Sequence, residues 1–79
     1  MIRLEHIKKT DDVIVCVGFI EDCKEPVQIS VNRANYAMTT SPLPKGYEWG
    51  TSHLEHAKKA LIDILESGSN ETKRTVMWY

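Results

Sequence analysis

The chain lacks long apolar runs, lacks an excess of charge of either sign, and is poor in the residues that carry chemistry. Its 79 residues include four glycines, three prolines, two cysteines and one phenylalanine. No stretch approaches the ~20 consecutive apolar residues of a membrane-crossing helix, and no secretory leader pattern is present. The chain therefore reads as a cytoplasmic protein without a membrane partner. Ten Lys and Arg against 11 Asp and Glu leave a formal charge of -1. That balance argues against a nucleic-acid binder driven by bulk charge. Two cysteines without an export signal, Cys16 and Cys23, read as reduced thiols. There is no glycine-rich phosphate loop, no G-x-S-x-G turn and no acidic metal cluster. The length suits one small domain over residues 1–79, with one modest core.

The clearest positive signal is helical and lies in residues 47–68, YEWGTSHLEHAKKALIDILESG. Leu54, Ala57, Leu61, Ile64 and Leu65 recur at three- and four-residue steps and share one face, which Ala60 and Ile62 widen. Glu55, Lys59, Asp63 and Glu66 fall on the other side. Ser52 and Glu55 match an S-x-x-E capping box at the start. Gly68 suits the left-handed residue at the end. Trp49-Gly50 just before the helix predicts an indole packed on the entry, with Gly50 permitting a sharp turn.

Strands account for the rest. Residues 1–9 alternate, Ile2 and Leu4 against Arg3 and Glu5, and read as an edge strand. Lys8, Lys9, Asp11 and Asp12 form a polar break. Val13–Ile20, VIVCVGFI, is β-branched and nearly all apolar, so it reads as a central strand covered on both faces. The helix covers one face; a long loop or a second subunit must cover the other. Pro26 opens a third strand over residues 27–31. Residues 32–38 fit either a strand or a helical turn, and residues 39–46 read as a loop. Residues 73–79, KRTVMWY, alternate and close the chain as a strand. The expected fold is α+β: a small antiparallel sheet in the order β-β-β-α-β with one amphipathic helix on one face.

Chemistry is thin. His53 and His56 sit three apart, but zinc needs three or four ligands and no third stands near in sequence, so both read as surface histidines and no metal or other cofactor is expected. Cys16 would need an exposed thiol of lowered pKa to act as a nucleophile; its apolar setting points to packing instead. The basic doublets Lys8-Lys9, Lys58-Lys59 and Lys73-Arg74 read as solvated surface. The core is expected to claim most of Tyr47, Trp49, Trp78 and Tyr79, with Tyr36 and Tyr79 the better candidates for exposure. This profile suits a non-enzymatic protein that binds another macromolecule.

The step Trp49-Gly50-Thr51, a few polar residues, an Ala/Leu helix and a closing aromatic strand resembles the C-terminal half of small phage-encoded anti-CRISPR proteins, the type II-C kind that caps the HNH nuclease domain of its effector. It also resembles small phage domains with a Trp-Gly step before an Ala-rich helix. The matching part runs from Tyr47 to about Leu65 and over residues 75–79. The resemblance implies an inhibitor that occludes a host defence protein such as a CRISPR effector nuclease. It implies that Asp12 (or Asp11) supplies a carboxylate and Thr75 a hydroxyl that contact the catalytic histidine and metal-binding residues of the target. Tyr36 and Tyr79 join them as expected contact residues. Two departures are visible: residues between Asp12 and Cys16 are apolar where the family is glycine-rich, and Thr75 stands where the family has serine. The alternatives are a small homodimeric structural or regulatory phage protein and a nucleic-acid-binding accessory protein.

Overall fold

A computed structural model describes residues 1–78. Five strands and one helix follow one another as β1 (Ile2–Lys9), β2 (Val13–Ile20), β3 (Val27–Asn32), β4 (Met38–Thr40), α1 (Thr51–Ser67) and β5 (Arg74–Val76). The fold is α+β. The strands form one antiparallel sheet in the spatial order β4-β3-β2-β1-β5, and α1 packs on one face. Among the described residues no helix is long and apolar enough to cross a membrane.

The helix is where its periodicity placed it. Leu54, Ala57, Ala60, Leu61 and Ile64 are buried, Ile62 and Leu65 pack beside them, and Gly68 ends the helix at φ 71°. Its start differs from expectation. The N-cap is Gly50 and no side chain caps the first turn, so the Ser52–Glu55 box does not form. The reason is the approach of the chain. Gly50 N–H donates to Tyr47 O at 2.9 Å and Gly50 O accepts from Leu54 N–H at 3.2 Å, so a tight turn runs straight into the helix one residue before Ser52. Gly50 also gives room: a Cβ there would lie 2.8 Å from Ile20 Cδ1 and 3.1 Å from Tyr47 O, so Ile20 would have to shift.

The sheet corrects three expectations. β1 is not an edge strand, because β5 pairs with Ile2, Arg3 and Leu4. A fourth strand, β4, arises from residues assigned to an ambiguous turn and a loop; Asn32 Oδ1 accepts from Ala34 N–H at 2.8 Å and reverses the chain so that Met38 meets Val31. The closing strand is short, three residues. β2 is central, as expected, yet among the described residues only one of its faces is covered by the helix. Ile14, Cys16, Gly18 and Ile20 are buried on the helix side, whereas Val13, Val15, Val17 and Phe19 on the other are only partly buried.

β1 stays in phase with this one-sided core through a bulge. Glu5 pairs with Val17 and Lys8 with Val15, so His6 and Ile7 together oppose Cys16. His6 takes φ 54°. The extra residue turns Ile7 inward beside Leu4, although the two differ by an odd number of positions, and both are buried. The amide of Ile7 is satisfied by Thr72 O at 2.8 Å.

One-sided burial predicts an asymmetry of substitutions. Leu61→Ala, at a fully buried site, should cost about 2–5 kcal/mol. Val17→Ala in dilute protein should cost about 1 kcal/mol or less. Urea unfolding midpoints check both; comparable losses would contradict an open second face.

Candidate protein-binding surface

The densest group of polar and aromatic side chains lies where β1 begins, β2 ends, α1 starts and the chain leaves β5. Glu21 sits just past β2 in the left-handed region, φ 49°. Its carboxylate pairs with the Met1 ammonium and with His53 Nε2, the latter at 2.7 Å. With a carboxylate as acceptor, Nε2 carries a proton. His53 is 8% exposed, and its Nδ1 is buried without a hydrogen-bonding partner among the described residues. The ring is wedged edge-on between two indoles, Trp49 at 5.2 Å and Trp78 at 4.8 Å between centroids. His56, one turn on, stacks on Trp78 at 3.9 Å. Tyr47 tilts against Trp49 at 5.7 Å, and its hydroxyl donates to Asp22 at 2.8 Å.

The polar groups hold this aromatic assembly in place. Trp49 Nε1–H donates to Gly46 O at 3.0 Å, which fixes the indole although it is 56% exposed. Met77, at the same end, is 58% exposed. An exposed Trp held through its own N–H, with a Tyr beside it, has the residue chemistry of a protein-contact anchor. The hydrogen bond to the amino terminus, followed by that to His53, lowers the pKa of Glu21 below its ordinary value. The hydrogen bond to Asp22 raises that of Tyr47.

The expected contact residues are scattered. Asp11 and Asp12 are exposed in the β1–β2 turn, at the far end of the sheet. Thr75 is exposed on β5 opposite Arg3, so it stands roughly 20 Å along the strands from them. Thr75 lines a groove of about 410 Å³ with Arg3, Glu5, Lys73 and Arg74. Tyr36 is not a free anchor: it is half-buried in a left-handed turn, φ 60°, and packs against the core. Tyr79 lies outside the described residues.

Other side chains correct the expected exposures. Of the four aromatics most of which were expected in the core, Trp49 is on the surface; His53, expected on the surface, is buried. The second was legible, because His53, Ala57, Ala60 and Ile64 follow steps of four, three and four along one helix face. Cys16 packs in the core as expected, and burial pushes its thiol pKa up to about 12. Cys23 is buried too, and both thiols are free. The basic doublets are spread out: Lys8 is on the open sheet face and Lys59 on the outer side of the helix. Arg74 is tied to Glu71 through two nitrogens and to Asp63 at 2.9 Å. No family model, curated protein or solved structure matches the chain.

The Glu21 contacts set a pH dependence. Its pKa is lower folded than the ~4.3 of an unfolded Glu, so it stabilises the fold above that value, and the contribution is lost as pH falls through the folded pKa. Glu71, lowered chiefly by Arg74, acts in the same direction. Glu21→Gln should therefore destabilise the protein at neutral pH and flatten, without abolishing, the acid limb below about pH 4.3. Urea midpoints across that range check it; an unchanged limb would show that Glu21 is uncoupled from folding.

Proposed function

We propose that this chain is a non-enzymatic protein-binding inhibitor of phage or mobile-element origin, which acts by occluding a surface of a host defence protein such as a CRISPR effector nuclease. The observation that carries the binding surface is Trp49: a large indole, more than half exposed, yet held by its own N–H and by the edge of a buried histidine. Rigid aromatic anchors lose little conformational entropy on binding, which is why they dominate interface energies. Met77 and Trp78 extend the same end of the molecule.

The choice of target rests on the resemblance carried by Trp49-Gly50-Thr51. Of the contact residues that resemblance implies, Thr75 precedes Met77 by two positions and belongs to this end, while Asp11 and Asp12 lie at the other. Occlusion therefore proceeds from the aromatic end, with Thr75 at its margin. A reaction of the chain's own finds little support in Cys16, whose thiol is buried and held protonated.

A type II-C effector with guide RNA and target DNA provides the test. Molar excess of the protein should suppress cleavage, and Trp49→Ala, with an unchanged circular dichroism spectrum, should need about tenfold more protein for the same effect. Cleavage unaffected by a large excess of the parent protein would remove the effector from consideration.

A further inference from the structure

The open face of the sheet has an internal inconsistency. An antiparallel sheet with one solvated face alternates apolar-in and polar-out along each strand. β1 and β3 obey this: Arg3, Glu5 and Lys8, and Gln28 and Ser30, point to the open side. β2 alone does not. Val13, Val15, Val17 and Phe19 form an apolar stripe down the middle of that face, flanked by charges on β1 and neutral polar groups on β3.

We propose that this face is an interface between two copies of the chain, stacked sheet against sheet about a two-fold axis that lies between the sheets, perpendicular to β2, and passes midway between Val15 and Val17. The strand registers make the face self-complementary about that axis. Val15 of each copy meets Val17 of the other, and Phe19 meets Val13. Glu5 is level with Val17 and Lys8 with Val15, so each Glu5 faces the Lys8 of the other copy, twice over. On β3, Gln28 is level with Val17 and Ser30 with Val15, so amide meets hydroxyl. One operation thus pairs apolar with apolar, acid with base and donor with acceptor, as an isologous interface requires. Arg3, which lies over the Phe19 ring at 5.2 Å and 3.8 Å from Glu5, screens the stripe at its edge.

The size of the face sets the strength. The five strands hold 28 residues, each covering about 3.3 × 4.8 Å, so each copy contributes about 450 Å². The total of about 900 Å² falls among weak, transient interfaces. With a stripe one strand wide, the dimer should dissociate in the high-micromolar range, populated in concentrated protein and lost when dilute. This pairing uses a different surface from the Trp49 cluster, sharing with the inhibitor reading only Thr75 beside Arg3 at its margin, and stands independently of that reading.

Sedimentation equilibrium from micromolar to millimolar protein is the measurement. A concentration-dependent dimer is expected. Glu5→Lys alone and Lys8→Glu alone should each weaken it about tenfold, because each sets like charges face to face, and the double variant should restore it. Both substitutions sit on the solvated side, and Val17→Glu, on the same side, should abolish association. The mass of one chain at every concentration would overturn the proposal. So would a dimer indifferent to Val17→Glu, or a double variant no tighter than the single ones.

Discussion

One helix can cover one face of a five-stranded sheet, and the rest of this structure follows from that limit. Every strand must present a set of apolar side chains to that one face, so phase along each strand matters more than propensity. β1 would fail the requirement without its bulge, since Leu4 and Ile7 differ by three positions. Placing His6 in the left-handed region restores the phase and lets Ile2, Leu4 and Ile7 join Ile14, Ile20, Ile29 and Leu61 in a single core. The helix must also lie close to the sheet, which Gly50 permits by offering no side chain to Ile20.

The same economy shapes the aromatic end. Glu21 occupies a backbone region that costs a residue with a side chain of order 1 kcal/mol or more. It is held there by the Met1 ammonium on one side and His53 on the other. His53 in turn is set by the helix register and braces both indoles. Backbone geometry, an ion pair and ring packing therefore converge on one outcome, an exposed Trp49 with little freedom to move. The chain of cause runs from the end of β2, through a buried imidazole, to the surface.

Local sequence rules revealed some of this and hid the rest for identifiable reasons. The helix was legible because five apolar residues recur on one face and Gly68 stops it. The central place of VIVCVGFI was legible from its β-branched content. Its open face was not, because an apolar run is compatible with either two covered faces in one chain or one face covered by something else. The bulge at His6 was hidden, since histidine carries no general signal for positive φ as glycine does. β4 was hidden because a three-residue strand is made by its partner, β3, rather than by its own propensity. The capping box failed because a turn through Gly50 started the helix early. At the aromatic end, the packing of Trp49 on the helix entry was legible from the Trp49-Gly50 step, and the indole does rest on His53 in the first turn; its exposure was not, because sequence does not say which of several aromatics a small core takes.

The two surfaces also constrain each other. Under a two-fold axis perpendicular to β2, the stacked sheets run antiparallel, and the two Trp49 ends point to opposite poles of the pair. Each pole is complete, since every residue of the aromatic assembly comes from one chain. Pairing therefore adds no contact to either pole, and two poles separated by at least the ~26 Å length of β2 cannot enter one cleft. Under the proposed function, the occluding unit is then the single chain, and a dimer could only bridge two targets. The same geometry excludes avidity at one site, so the proposed occlusion rests on the Trp49 cluster of one chain.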